Sequence, residues 1–240
     1  MPSNFKPVVV GRARLLVRGG HEGMVRVLLD AWEGRAEEWI GGGRAPHPVV
    51  ALADGGRAVV RRFRRGGMVR HLNRDRYFGG DRAAEELRAT EAARAGGARV
   101  PEVIAAGRMA AFPGYRAMLA TRLVADVRDA AQALAGADGT ARFKTLWEAG
   151  RQIGRMHAAG VAHPDLNLRN LLVREPDEVW LIDFDRARVT DGTAPRVRRQ
   201  RDLDRLARSA AKLRQPLTPA DRVVLRDGYL SETPLLLDLG

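Results

Sequence analysis

The stretch between residues 163 and 185 constrains the fold more than any other part of this 240-residue chain. It reads HPDLNLRNLLVREPDEVWLIDFD and follows a long amphipathic helix predicted from about Thr140 to Ala159. Two short apolar runs, Leu171 to Val173 and Val179 to Ile182, flank the turn-rich Glu175-Pro176-Asp177 and predict a hairpin. Because a short hairpin brings its two ends together, the polar residues before and after it are expected at one edge.

Three of these polar residues supply the groups that phosphoryl transfer requires. Such a reaction needs a carboxylate to orient and deprotonate the attacking hydroxyl, and oxygen ligands to hold Mg²⁺ against the phosphates. The loop after the long helix offers Asp165 and Asn170, and the second strand of the hairpin delivers Asp183. The alternative is that these side chains only cap turns.

The order of these elements resembles the protein-kinase-like superfamily. Asp165 stands at the position of its catalytic-loop Asp, Asn170 at that of its metal-binding Asn, and Asp183 at that of the first Asp of Asp-Phe-Gly. The resemblance implies an α+β, two-lobed protein-kinase-like fold. A small β-rich N-lobe with the nucleotide clamp is expected over residues 1–120. A mostly helical C-lobe with the catalytic loop, the metal-binding Asp and the acceptor site is expected over residues 121–240.

The first half of the chain reads as strands with two helices. The turn Asp54-Gly55-Gly56 between two apolar runs predicts a hairpin. An Asp at the start of the second helix and Gly96-Gly97 after it set that helix's limits. The predicted strands are Arg12 to Arg18, Val49 to Ala53, Ala58 to Phe63 and Arg116 to Leu123, and the predicted helices are Glu22 to Trp32 and Asp81 to Ala95.

The resemblance further implies a nucleotide clamp in this half. Gly41, Gly42 and Gly43 are placed for a glycine-rich loop, although a triple Gly is equally typical of an ordinary turn. Val59-Val60-Arg61 resembles the Val-Ala-Ile-Lys strand, with an Arg whose guanidinium can bridge phosphate oxygens and a carboxylate. Glu86 is the expected partner of Arg61, and its neighbour Glu85 is the rival. ATP, with Mg²⁺, is expected to bind here, its adenine against the strand from Arg116 to Leu123.

Four segments resemble, more narrowly, the Kdo kinases among the lipopolysaccharide core kinases: VVRRFRRGGMVRHLNRDRYF, HPDLNLRNLLV, VWLIDFDRAR and RDLDRLARSAAKL. Kdo is the acidic eight-carbon sugar that joins the core oligosaccharide to lipid A. The resemblance covers roughly residues 36–215. It implies transfer of the γ-phosphate of ATP to a Kdo hydroxyl, the 4-OH, on a lipid A precursor. The implied location is cytoplasmic, peripheral on the cytoplasmic face of the inner membrane.

The charge of the chain favours an anionic partner. Its 41 Lys and Arg against 29 Asp and Glu give a net charge of +12, and only three of the basic residues are lysines. Seven arginines lie between Arg61 and Arg76 and predict contact with an anionic glycolipid and its membrane. The alternative is a solvated charged loop. A second cluster that could face the acceptor consists of Arg196, Arg198, Arg199 and Arg201.

Other functions have less support in the sequence. The chain has no cysteine, which excludes a thiol nucleophile and a thiolate metal site, and no apolar run approaches the ~20 residues of a spanning helix. A kinase of a heptose or an aminoglycoside-like alcohol is the nearest alternative, although a cationic aminoglycoside would favour an acidic cleft. The 57 residues after Asp183 are few for a protein Ser/Thr kinase. An ATP-binding scaffold is the non-enzyme alternative, and no motif indicates nucleic-acid binding.

Overall fold

The structure is a computed structural model that describes residues 3–41, 46–63 and 76–233. The chain forms two compact units. The first unit consists of Met1–Arg88 and Glu102–Leu123, and the second consists of Ala89–Pro101 and Val124–Gly240.

The segment Ala89–Pro101 belongs to the second unit because Arg99 is bonded into it. The backbone N–H of Arg99 donates to Gln152 at 2.6 Å, and its carbonyl accepts from the N–H of Leu181 at 2.9 Å. Its guanidinium donates to Glu148 at 2.7 Å. The predicted domains, 1–120 and 121–240, are continuous stretches of chain. In the structure, by contrast, the segment Ala89–Pro101 from the first half belongs to the second unit.

One seven-stranded antiparallel sheet organises the first unit. Its strands follow the order β1-β2-β6-β7-β5-β4-β3 across the sheet. The predicted hairpin joins β4 to β5, where Gly55 takes φ +81° and the carboxylate of Asp54 accepts from the N–H of Gly56 at 2.9 Å. The strands are β1 (Phe5–Val10), β2 (Ala13–Arg18), β3 (Glu38–Ile40), β4 (His47–Ala51), β5 (Arg57–Arg62), β6 (Val103–Ala110) and β7 (Tyr115–Arg122).

The two faces of this sheet are covered by different helices. Helix α1 (Val25–Glu33) buries Leu28 and Trp32 in one cluster with Val60 of β5. The first turns of α2 (Arg82–Ala95) bury Leu87 in another cluster. Val60 therefore points to the face that α1 covers. Because successive strand residues point to opposite faces, the next residue, Arg61, points to the other face.

Helices dominate the second unit. Short strands β10 and β11 form the hairpin predicted between residues 171 and 182, and β8 extends it to three strands. The elements are β8 (Arg128–Asp129), α3 (Ala130–Ala135), α4 (Gly139–Ala158), β9 (Val161–Ala162), β10 (Leu171–Val173), β11 (Val179–Leu181), β12 (Arg188–Val189), α5 (Arg196–Lys212) and α6 (Pro219–Glu232).

Helices α4 and α6 approach so closely that glycine is needed where they meet. A Cβ at Gly150 would lie 2.1 Å from the carbonyl oxygen of Leu225, and one at Gly228 would lie 2.2 Å from that of Trp147. Arg142 of α4 donates from Nε and Nη2 to the two carboxylate oxygens of Asp221 at 2.9 and 2.8 Å. This pair lowers the pKa of Asp221, against the opposing effect of burial.

Several elements differ from the sequence prediction. Strand β1 and helix α6 were not predicted from the sequence. The helix predicted from Asp81 has the expected cap, since the Asp81 carboxylate accepts from the N–H of Ala84 at 3.1 Å. Within the described residues, no helix combines the length and the apolar character needed to cross a bilayer.

Candidate active site

The loop that carries Asp165 begins at a position that only glycine can occupy. Gly160 takes φ +81°, and a Cβ there would lie 2.2 Å from the carbonyl oxygen of Thr190. The chain then runs through β9, which pairs with β12, and enters the loop at His163. Leu166 and Leu168 are 0% and 2% exposed and anchor the loop in the core. The polar residues that alternate with these leucines remain outside it.

Two side-chain amides hold the backbone of Asp165. Its carbonyl oxygen accepts from Nδ2 of Asn167 at 2.7 Å and from Nδ2 of Asn170 at 3.0 Å. The Asp165 side chain is 45% exposed, and its Oδ1 accepts from Nη2 of Arg205 on α5. The side-chain oxygen of Asn167 also forms a hydrogen bond, accepting from the N–H of Arg169 at 2.9 Å. The loop therefore presents a half-exposed carboxylate on a fixed backbone.

The hairpin brings Asn170 and Asp183 to the same edge, as the sequence predicted. The N–H of Ile182 donates to the carbonyl oxygen of Asn170 at 3.0 Å, so the residue next to Asp183 is bonded to Asn170. Asp183 takes φ +67°, a left-handed conformation that costs a non-glycine residue on the order of 1 kcal/mol. The following residue, Phe184, is 2% exposed and packs against the ring of His163 at a centroid distance of 5.0 Å. This buried anchor fixes the turn at Asp183.

The chemistry of this pair suits a hard divalent cation. The side-chain nitrogen of Asn170 donates to the carbonyl oxygen of Asp165, so the side-chain oxygen points away from that carbonyl. Asp183 adds a carboxylate, and Mg²⁺ prefers such oxygen ligands. No group of three or more His, Cys, Asp or Glu side chains could hold a metal ion among the residues that the structure describes. Two protein oxygens fit a Mg²⁺ that takes its remaining ligands from phosphates and water.

A buried carboxylate on α5 forms a hydrogen bond with the backbone at the start of the loop. Asp202 is 2% exposed, and its Oδ2 accepts from the backbone N–H of His163 at 2.5 Å. The same oxygen lies 3.2 Å from Nε2 of His157 on α4. Nε2 of His163 lies 3.1 Å from the carbonyl oxygen of Ile182, so this ring carries its proton there. Asp202 and His163 thus join α4, α5, the loop and the strand that leads to Asp183.

The bonds continue from His157 away from the loop. Its Nδ1 lies 3.2 Å from the hydroxyl of Tyr229, which accepts from Nη1 of Arg199 at 3.1 Å. Burial lowers the pKa of His157, although Asp202 opposes this shift, and burial raises the pKa of Tyr229. A neutral His157 then donates from Nε2 to Asp202 and accepts at Nδ1 from Tyr229. The bonds thus run from the buried Arg199 to Asp202, which accepts both from His157 and from the backbone N–H of His163 at the start of the loop.

In the first unit, Arg61 pairs with Glu86. Nη2 of Arg61 on β5 donates to both carboxylate oxygens of Glu86 on α2. Glu86 is 2% exposed, whereas its neighbour Glu85 is exposed, so the structure selects Glu86 as the partner of Arg61. The guanidinium also lies over the ring of Phe63, 4.9 Å from its centroid.

For the remaining predicted residues, the structure gives less information on their contacts or does not describe them. Gly41 follows β3 and precedes β4 in the chain, and a Cβ there would meet no atom within 4 Å. Gly42 and Gly43 lie outside the described residues, as do residues 64–75 of the arginine-rich stretch. In the second arginine cluster, Arg196, Arg198 and Arg201 are exposed, but the hypothesis that Arg199 faces an acceptor is wrong. Arg199 is 3% exposed because it bonds to Tyr229 inside the core.

Sequence reasoning did not single out Arg205 or Tyr229. Arg205 lies 40 residues from Asp165 in the chain, and Tyr229 lies 72 residues from His157. A signal for Arg205 was present in the helical period of α5, on which Asp202 and Arg205 are close neighbours. No signal identified Tyr229, because α6 was not predicted.

The fold has a counterpart among solved structures. The structure described as "WaaP in complex with acyl carrier protein" matches with a TM-score of 0.61 and 22% identity over 91% of this chain and 89% of the other. At this identity the likeness shows the fold alone, which is protein-kinase-like. The class of protein follows from the sequence relatives, which are named as kinases: the chain is a kinase that transfers phosphate to an alcohol group.

Sequence comparison shows the family. The profile of the lipopolysaccharide kinase (Kdo/WaaP) family matches residues 30–229. A 3-deoxy-D-manno-octulosonic acid kinase of Xylella fastidiosa strain 9a5c is 39% identical over 76% of this chain and 73% of its own length. An enzyme of the same name from Xanthomonas oryzae pv. oryzae strain PXO99A is 38% identical over 77% and 74%. The chain belongs to the lipopolysaccharide kinase (Kdo/WaaP) family.

Proposed function

We propose that this kinase transfers the γ-phosphate of ATP to a hydroxyl of Kdo, the 4-OH, on a lipid A precursor. The relatives named as kinases of this sugar support the choice of acceptor. The observation that carries the proposal is the bonding around Asn170. Its side chain holds the backbone of Asp165, and its carbonyl holds the residue before Asp183. The proposed base and the proposed metal ligands therefore form one hydrogen-bonded unit.

Asp165 acts as the base in this proposal. The acceptor oxygen attacks the γ-phosphorus, the bond from that phosphorus to the ADP oxygen breaks, and the hydroxyl proton passes to the carboxylate. Arg205 holds Oδ1 of Asp165, so Oδ2 is the oxygen we assign to the proton. Asn170 and Asp183 would hold Mg²⁺, and the ion would supply positive charge beside the phosphates.

Arg61 and Glu86 serve the nucleotide in this proposal. A guanidinium whose position is fixed by a buried carboxylate can bind phosphate oxygens with little loss of side-chain freedom. Gly41, Gly42 and Gly43 are proposed to approach the phosphates through their backbone N–H groups. These assignments follow the superfamily resemblance and the Arg61–Glu86 pair.

The proposed acceptor is strongly anionic and lies in a membrane. The net charge of +12 and the arginines between Arg61 and Arg76 match such a partner. We therefore propose that the enzyme works peripherally, on the cytoplasmic face of the inner membrane.

The test compares two acceptors with the purified protein and Mg·ATP. Kdo–lipid IVA is expected to gain one phosphate on Kdo, located by fragmentation mass spectrometry, and a heptose-containing core without accessible Kdo is expected to gain none. Asp165→Asn is the negative control. Transfer to heptose alone, or to neither acceptor while the protein binds Mg·ATP, would reject the proposed function.

A further inference from the structure

One face of α5 carries an uninterrupted row of cations. The members recur at spacings of three and four residues, which places them within an arc of about 80° on a helix of 3.6 residues per turn. All are exposed. We name this the α5 basic row, and it consists of Arg198, Arg201, Arg205, Arg208 and Lys212.

Four of the five members of this row have no partner among the residues that the structure describes. The side chains of Arg198, Arg201, Arg208 and Lys212 make no hydrogen bond or ion pair with any residue that the structure describes. The acids of α5 do not serve them either. Asp202 is buried against His157 and His163, and Asp204 accepts from Gln200 at 2.9 Å.

Some arginines elsewhere in the second unit have carboxylate partners. Arg142 and Arg155 on α4 pair with Asp221 and Glu232 at 2.8 and 3.0 Å. Arg174 pairs with Glu178 at 2.5 Å. Other arginines of this unit make no side-chain hydrogen bond or ion pair with the described residues, namely Arg128, Arg169, Arg186, Arg188, Arg196 and Arg214. What distinguishes the α5 basic row is that its members follow one another along one face of one helix. The row on α5 is a local excess of positive charge.

The row runs directly past the candidate base. Two residues on the flank of α5, Asp202 and Ser209, accept from backbone N–H groups of the catalytic loop, at 2.5 and 3.4 Å. Arg205 lies between them in the helix and donates to the carboxylate of Asp165. The row thus has one member in the active site and others exposed on either side along about 21 Å of helix.

We propose that the α5 basic row binds the negative groups of the acceptor, and that Arg205 connects this surface to Asp165. The proposal rests on the proposed function, since it assigns where the glycolipid of that reaction lies. Guanidinium groups recognise carboxylates and phosphates through paired N–H donors. Both occur in the acceptor: a sugar carboxylate near the reacting hydroxyl, and phosphates farther away on lipid A. A row several turns long suits more than one such group.

Arg205 has a second task in this proposal. Because its guanidinium has five N–H donors, it can hold Oδ1 of Asp165 and still donate to an acceptor anion. Asn167, in the same loop, uses both polar ends of its side chain within the loop. Arg205 is therefore the cation that α5 supplies at the base.

The test removes two charges from the row and two from elsewhere. R201Q/R208Q is compared with R26Q/K144Q, whose residues lie on α1 and α4, are exposed and have no partner among the described residues. Both variants have the same net charge. Transfer from Mg·ATP to Kdo–lipid IVA is measured in micelles of a neutral detergent, which removes any anionic membrane. We expect the KM for the acceptor to rise roughly tenfold in R201Q/R208Q only, with the KM for ATP unchanged and the same melting temperature in both.

The same assay with an acceptor lacking the lipid A phosphates identifies the anion. If the row binds these phosphates, the difference between the variants disappears with this acceptor; if it binds the sugar carboxylate, the difference persists. Either result supports the proposal. An equal KM in both variants, with normal transfer by the unmodified protein, overturns the proposal and leaves the function intact. A defect confined to binding of anionic phospholipid vesicles also overturns it, and absence of transfer by the unmodified protein overturns both.

Discussion

Asp165 and Asp183 have different surroundings, which suit the different tasks proposed for the two carboxylates. Asp165 lies half exposed on a loop whose backbone is held by two amides. Asp183 lies in a strained turn anchored by the buried Phe184. A proton acceptor has to meet the substrate hydroxyl, whereas a metal ligand has to keep a fixed position. The two environments match these requirements.

Replacing each carboxylate by its amide separates the two roles. We expect Asp165→Asn to lower kcat roughly 10²- to 10⁴-fold, because the proton acceptor is lost, with little change in Mg·ATP affinity. Asp183→Asn is expected to weaken nucleotide binding in Mg²⁺ but not in EDTA. Single-turnover phosphate transfer and titration calorimetry measure these effects. A normal rate in Asp165→Asn would remove that residue from the chemistry.

The effect of the Arg61–Glu86 pair on stability can be tested at Glu86, with the neighbouring Glu85 as the control. Glu86→Ala leaves Arg61 without its carboxylate and removes a side chain that is 2% exposed, so we expect a loss of about 2–3 kcal/mol in the free energy of unfolding. Glu85→Ala changes an exposed side chain and is expected to stay within about 0.5 kcal/mol. Urea denaturation measures both. Equal effects of the two substitutions would show that the pair does not stabilise the unit.

At the level of helices and strands, the contact between α4 and α6 depends on glycine. Gly150→Ala would place a Cβ 2.1 Å from the carbonyl oxygen of Leu225, and α6 would have to move. We expect a loss of about 2–3 kcal/mol, by analogy with overpacked cores. Gly139→Ala, in the first turn of the same helix, meets no atom within 4 Å and is expected to be neutral or stabilising. Thermal unfolding of the two variants tests this, and a Gly150→Ala variant as stable as Gly139→Ala contradicts it.

The same contact explains what could and could not be predicted from the sequence. Helix α4 has regularly spaced apolar residues and was predicted almost to its ends. Helix α6 meets it through Leu225, Gly228 and Tyr229, while Val223 is 44% exposed, so its apolar residues do not mark the buried face. Asp165, Asn170 and Asp183 could be identified because they are close in the chain. The partnership of Arg205 with Asp165 depends on how α5 packs.

At the level of the whole molecule, buried His157 couples folding to pH. Desolvation lowers its pKa from the ordinary 6.5, and the groups that face it are Asp202, Arg199, Tyr229 and His163. Below pH ~6.5 the unfolded chain binds a proton at this residue that the folded chain does not bind. Stability from this source is therefore complete above pH ~6.5 and is lost as the pH falls towards the lowered pKa.

This coupling predicts a pH-dependent difference between two proteins. As the pH falls from about 6.5 to 5.5, the unmodified protein is expected to lose up to about 1.4 kcal/mol from this one group, and little between pH 7.5 and about 6.5. His157→Gln, which retains a donor for Asp202 but does not titrate, should have a flatter profile. Urea denaturation at several pH values gives both curves, and parallel curves would exclude His157 as the source.

The position of Asp202 has a consequence for how this enzyme can change during evolution. One carboxylate oxygen serves both His157 in the core and the backbone of His163 at the start of the loop. We therefore expect a mutation that removes this oxygen to lower both the stability of the fold and the rate of the reaction. In a random library screened only for thermal tolerance, survivors should retain Asp202 as strictly as survivors screened for kinase activity.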